Sequence, residues 1–133
     1  TYPSEPALAN LAVQLYPGQA APLYWLISAT DPKITEQSKP LIEEILRINP
    51  RDGLAWRYLG IILIQEDDIQ GAIEAHIHSC YNGDPGSNGC YNAGRLLEQE
   101  GRYEEAISFY RLSIHDFIRA NADRLEEMLA NSQ

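Results

Sequence analysis

Apolar positions recur along this chain every three or four residues, the spacing of helices with one buried face rather than of strands. Leu8, Leu11, Ala12 and Leu15 form a first stripe, with Ser4 placed to cap it and Glu5 and Pro6 in its opening turn. Pro17-Gly18 ends that segment. A second helix is predicted over 20–30, with Leu23, Leu26 and Ile27 on one side and Tyr24 and Trp25 beside them, stopped by Asp31-Pro32. A third runs from about 35 to 48 on Ile42, Ile45, Leu46 and Ile48, with Pro40 near its first turn and Asn49-Pro50 closing it. Helices follow over 53–65 and 69–81, joined at Glu66-Asp67-Asp68, then a turn-rich loop over 82–88. The pattern resumes over 89–99, turns at Glu100-Gly101-Arg102, and continues from 103 to about 118. A last helix is predicted from about 122 to 130, with Leu125, Met128 and Leu129 on one face and Asp123, Arg124, Glu126 and Glu127 on the other.

The segment 55–118 repeats itself. Gly60 and Gly94 are 34 residues apart, as are Ala72 and Ala106, and the text around each pair aligns. Small residues at these four positions would let the two helices of a hairpin lie close together. A period of 34 with Trp56, Leu59, Gly60, Leu63 and Ala72 in the first copy resembles the tetratricopeptide repeat (TPR) family. The second copy keeps Gly94, Leu97, Ala106 and Tyr110 but has Cys90 where the Trp would stand.

That resemblance implies an all-α, right-handed α-solenoid of antiparallel helix pairs, about seven helices with the end helices included. Its expected divisions are an N-terminal helix over 1–19, a degenerate repeat over 20–50, repeats over 53–86 and 87–120, and a capping helix over 121–133 that solubilises the end of the stack. Counted back from Pro50, the degenerate repeat is one residue short, which predicts a tightened interhelical turn. The opening at Thr1 is read as a sign of a piece cut from a larger protein.

Ten basic against nineteen acidic side chains leave a net charge of −9. Nucleic acid and anionic membrane are poor partners for such a surface, since both need clustered Lys and Arg. No apolar run is long enough to span a bilayer, so no direct membrane insertion of this segment is expected. Cys80 and Cys90 flank the 82–88 loop at helix ends that a stacked array makes neighbours. A disulfide is geometrically feasible there, closing a short loop and adding up to roughly 3 kcal/mol; reduced thiols packed as small hydrophobes are the alternative. Oxidised, the pair would suit a periplasmic or other extracytoplasmic setting; reduced, a cytoplasmic one. His76, His78 and Cys80 lie on one helix, and His76, Cys80 and Cys90 are a conceivable zinc set. His76 sits at a packing position, however, so no metal and no cofactor is expected. No nucleophile elbow, phosphate-cradling loop or zincin motif occurs, and no catalytic residues are assigned.

A groove lined by the first helix of each pair is what the resemblance offers as a binding surface. Carried over by position, it contains Tyr24, Ser28, Arg57, Ile61, Ile64, Tyr91, Arg95 and Glu98. Aromatic, aliphatic and Arg side chains suit a peptide or protein partner. The basic clamp by which some TPR proteins hold acidic chaperone tails is not expected, because its positions here carry Tyr24, Ser28, Tyr58, Asn88 and Asn92. The reading is a non-catalytic protein–protein interaction scaffold. The alternative is a structural or oligomerisation domain, including a homodimer, within a larger protein, a membrane-anchored extracytoplasmic one included; a small metal-binding domain on His76, Cys80 and Cys90 ranks last.

Overall fold

In the computed structural model, which describes residues 2–83 and 88–133, each stripe closes into a helix. The order is α1 (Glu5–Leu15), α2 (Ala20–Thr30), α3 (Lys39–Ile48), α4 (Gly53–Gln65), α5 (Ile69–Tyr81), α6 (Asn88–Gln99), α7 (Tyr103–Arg111) and α8 (Asp116–Asn131). The described residues thus hold eight α-helices and no strand, one for each segment read from the apolar spacing, where the family resemblance implies about seven. Capping side chains fix three of the starts. Ser4 Oγ accepts from Ala7 N, Asp52 Oδ1 from Ala55 N and Asp68 Oδ1 from Gly71 N, each satisfying a donor the helix leaves unpaired and worth about 1 kcal/mol.

The α4–α5 and α6–α7 hairpins repeat at the level of single hydrogen bonds. Asp68 N donates to Leu63 O at 2.8 Å, and 34 residues on Arg102 N donates to Leu97 O at 2.9 Å. Asp67 and Gly101 occupy the same left-handed step, with φ of 61° and 76°. Glycine takes that conformation freely, and Asp is among the few other residues that tolerate it. Ala72 and Ala106 are fully buried where the hairpins close.

Packing between neighbours in the chain builds two core clusters. One joins α5 to α8 through Ile73, Leu97, Phe109 and Leu125; the other joins α2, α3 and α4 through Ile27, Ile42, Ile45 and Ile62. The fold is all-helical and TPR-like, as the repeat implies.

Four local expectations are corrected. The α2–α3 connection is not tightened: it runs from Asp31 through a 3-10 turn at Glu36–Ser38, and α3 begins at Lys39 rather than near 35. Buried Asp31 is the cause. Its carboxylate accepts from Thr35 N and Ser38 Oγ at 2.7 Å and from Thr35 Oγ1 at 3.0 Å, which organises the segment as a loop. Second, the helix expected to reach 118 ends at Arg111, and the last helix starts at Asp116 instead of near 122. Ser113 turns the chain between them, its Oγ accepting from His115 N and its carbonyl from Arg119. Third, the α1 stripe does not face a core. Ala9 is buried, while Leu8, Leu11 and Leu15 are 40%, 48% and 63% exposed, because α1 packs chiefly on α2 alone. Fourth, α6 opens at Asn88, inside the expected loop, whose residues 84–87 lie outside the described part of the chain.

Candidate interaction surface

Alternate helices stand side by side and form one row: α2, α4, α6 and α8. The Tyr24 hydroxyl on α2 donates to Asp52 at the head of α4 at 2.5 Å, and its ring meets Tyr58 edge-on with centroids 6.0 Å apart. α4 touches α6. Arg124 on α8 reaches Glu98 on α6 at 2.7 Å. α7 ends early at Arg111, and the turn at Ser113 lets α8 begin at Asp116, beside α6.

Two clefts open along it. The first, of about 290 Å³, lies between α2 and α4 and is lined by Tyr24, Ile27, Ser28, Pro32, Ile34, Leu54 and Tyr58. The second, of about 510 Å³, lies between α6 and α8 among Asn88, Tyr91, His115, Phe117, Ile118 and Asn121.

The eight residues predicted for a groove fall on this row in distinct settings. Tyr24 and Ser28 share the first cleft and Tyr91 lines the second. Tyr24 is also a strut: burial, then the Asp52 carboxylate, push its hydroxyl well above the usual tyrosine range. Arg57 lies over the Tyr58 ring, 5.9 Å from its centroid. Ile61 packs against the core, whereas Ile64 is at the surface. Arg95 is exposed. Glu98 is engaged internally, accepting from the Tyr110 hydroxyl at 3.0 Å as well as from Arg124. Burial alone would raise its pKa, but the bonds from Arg124 and Tyr110 outweigh burial and hold it below the usual carboxylate range.

Beneath the row lies His76. It is 3% exposed, with no hydrogen-bond partner for Nδ1 among the described residues. Burial first, then the Arg57 and Arg95 charges, lower its pKa to about 4, so the ring is neutral at pH 7. Its packing role, expected from sequence, is visible at Gly60: a Cβ there would sit 2.6 Å from His76 Nε2. His78 stacks on Trp56 with ring centroids 4.3 Å apart. Cys80 and Cys90 are joined, S–S 2.04 Å, so the thiolates of the conceivable zinc set are bonded to each other. That bridge ties α5 to α6 across a sequence separation of 10 residues.

Sequence reasoning missed Leu54, Pro32 and Ile34 in the first cleft and His115, Phe117, Ile118 and Asn121 in the second. A signal for the second was present. Ser113-Ile114-His115-Asp116 has the Ser-x-x-acid spacing that opens helices, and it precedes Phe117-Ile118.

A row of helices backed by their hairpin partners, with one cleft between α2 and α4 and another between α6 and α8, is the architecture of a helical-repeat protein. The sequence profile of the tetratricopeptide repeat matches residues 87–114, which span α6, α7 and the turn that follows. That stretch carries a tetratricopeptide repeat, which supports the family resemblance read from the 34-residue period. A search of curated proteins finds no match to the chain. Repeats of this family commonly bind proteins or peptides and are generally non-catalytic. Among the described residues, no helix is long and apolar enough to cross a membrane.

Proposed function

We propose that this chain is a non-catalytic scaffold that holds an extended or helical peptide of a partner protein across the α2–α4–α6–α8 row. Arg57 and Arg95 place the peptide, and Tyr24, Ile61, Ile64 and Tyr91 pack against it, with Ser28 at one end of the track and Glu98 bracing the other. The observation that supports the reading is the pair of clefts, one between α2 and α4 and one between α6 and α8, on a row whose helices α4 and α6 carry Arg57, Ile61, Ile64 and Arg95. Aromatic walls supply apolar area at low entropic cost, and Arg adds direction; these residue types dominate binding hot spots. The test is capture of partners by the immobilised chain, followed by mass spectrometry. The Arg57→Ala/Arg95→Ala pair, and Arg95→Ala alone, should lose the captured protein, while Arg47→Ala on α3 should keep it. Undiminished capture by the double variant ends the reading.

A second reading has an observation of its own. Leu8, Leu11, Leu15 and Tyr16 leave apolar area on the outer side of α1, and Tyr16 is 60% exposed. A stacking contact there, with another copy or another domain, would remove that area from water. Light scattering on the purified chain distinguishes a dimer lost in Leu11→Glu from a monomer. The Cys80–Cys90 bridge supports an oxidising compartment for either reading.

A further inference from the structure

Six of the basic side chains are matched to carboxylates within the chain: Lys39 to Glu66, Arg47 to Glu44, Arg102 to Glu105, Arg111 to Asp123 and Glu126, Arg119 to Asp116, and Arg124 to Glu98. Arg95 is different. It stands in the middle of α6 and makes no hydrogen bond or ion pair with any described residue. The nearest acid along its helix face, Glu98, is held by Tyr110 and Arg124. Lys33 and Arg51 likewise meet no carboxylate among the described residues, but they lie in the turns before α3 and α4, whereas Arg95 is a guanidinium held on a helix face in a chain of net charge −9.

Its position gives that charge a context. Tyr91 precedes Arg95 by four residues, so the two share a face one turn apart. Tyr91 is also a wall of the 510 Å³ cleft between α6 and α8. None of the six lining residues is a carboxylate, and three are aromatic or aliphatic. Phe117 is 72% exposed at the rim, leaning on the His115 ring with centroids 5.4 Å apart. Asn88, His115 and Asn121 supply polar groups beside this apolar surface. Below, neutral His76 lies within the field of both Arg95 and Arg57. The setting joins an apolar recess to a positive edge on an otherwise acidic molecule.

We propose that the α6–α8 cleft and Arg95 together recognise a protein segment in which a large apolar side chain is followed closely by a carboxylate. The apolar side chain enters between Tyr91, Phe117 and Ile118, and the carboxylate takes the fork of the Arg95 guanidinium. This rests on the scaffold reading above and names the chemistry of its ligand. The partner is a different protein, because charge complementarity favours an acidic segment at Arg95 while two copies of this acidic chain repel each other.

The test uses the whole chain, ¹⁵N-labelled, titrated with acetyl-Leu-Phe-Asp-Asp-amide and with its Asn-Asn counterpart. The Asp peptide should shift the amides of Tyr91, Arg95, Phe117 and Asn121, and the Asn peptide should bind roughly fivefold more weakly. Arg95→Gln should reduce the Asp peptide to the affinity of the Asn one, and Phe117→Ser should weaken both. Arg95 and Phe117 are both exposed, so neither change threatens folding. Equal binding of the two peptides, or no binding at millimolar concentration, overturns the proposal. Shifts confined to the α2–α4 cleft overturn it while leaving the scaffold reading intact, and shifts away from the row count against both. Self-association of the unliganded chain that vanishes in Arg95→Gln would make a second copy the occupant, and the proposal wrong.

Discussion

The two clear hairpins cross at the same place with the same shape and different chemistry. In α4–α5, Gly60 faces the His76 ring; in α6–α7, Gly94 faces the Tyr110 ring, with each glycine and each ring 34 residues from its counterpart. A Cβ would come within 2.6 Å of His76 Nε2 in the first crossing and 2.7 Å of Tyr110 Cδ1 in the second. The rings differ in what happens to their polar atoms. The Tyr110 hydroxyl donates a hydrogen bond to Glu98, which Arg124 holds in turn. Among the described residues His76 Nδ1 finds no such acceptor or donor, and the residue 34 before Glu98 is Ile64. The period therefore specifies volume at the crossing, while polar satisfaction depends on what each unit places opposite the ring.

Acid breaks the comparison most strongly. The unfolded chain protonates His76 near 6.5 and the folded chain near 4, so between those values the unfolded state binds more protons. The stability this neutral ring contributes is complete above pH 6.5. It falls as pH drops towards 4 and changes no further below that. The difference of about 2.5 pH units corresponds to roughly 3 kcal/mol. Urea midpoints at pH 7.5 and 4.5 should show the native chain losing most of that amount relative to His76→Phe, in which carboxylate titration is the same. Parallel pH profiles for the two proteins would remove His76 as the acid-sensitive point.

Alanine at the two glycines should part them by a smaller margin. Each substitution gains up to about 1 kcal/mol of helix propensity and incurs an overpacking cost of about 1–3 kcal/mol. Tyr110 is pinned at its hydroxyl and has little freedom to retreat, so Gly94→Ala should destabilise by about 2 kcal/mol. The His76 ring has no bond at Nδ1 to break, so Gly60→Ala should cost about 1 kcal/mol or less. Thermal melts of both variants in one buffer check the order; a larger loss at Gly60 would mean that the pin on Tyr110 does not set the stiffness of its crossing.

These crossings also mark what the sequence made legible. Gly60, Gly94, Ala72 and Ala106 announced the hairpins because close approach requires small residues at a fixed period, and a period can be read without coordinates. Ser4, Pro17-Gly18 and Glu66-Asp67-Asp68 announced helix ends through local hydrogen bonding and backbone preference. The partners of Asp31 were hidden, since nothing local says that a carboxylate beside Pro32 will be buried and will hold Thr35 and Ser38. The α7–α8 break was hidden behind continuous helical spacing through Leu112 and Ile114, which the fold leaves 51% and 76% exposed. Losing that break displaced α8 and with it the second cleft, although Ser113 and Asp116 carried a capping signal. The groove residues came from register, and register places a residue on a row without saying whether Tyr24 or Glu98 is already occupied by a neighbour.

The finest difference between the hairpins can be rebuilt by mutation. Ile64 and His76 stand where Glu98 and Tyr110 stand one unit later, so Ile64→Glu with His76→Tyr copies the second crossing into the first. Gly60 already clears space for the His76 imidazole, as Gly94 does for the Tyr110 ring. Each single change should destabilise: His76→Tyr places a hydroxyl without its acceptor, and Ile64→Glu gives up apolar contact at a site 36% exposed. Together the hydroxyl and carboxylate should pair, and a double-mutant cycle in urea should return a favourable coupling of about 1 kcal/mol. The expected value stays below that of a fully charge-assisted network, because the residue 34 before Arg124 is Cys90, whose sulfur is held by Cys80 and brings no guanidinium to the pair. Zero coupling would show that the Tyr110–Glu98 bond owes its strength to Arg124 rather than to the geometry the repeat supplies.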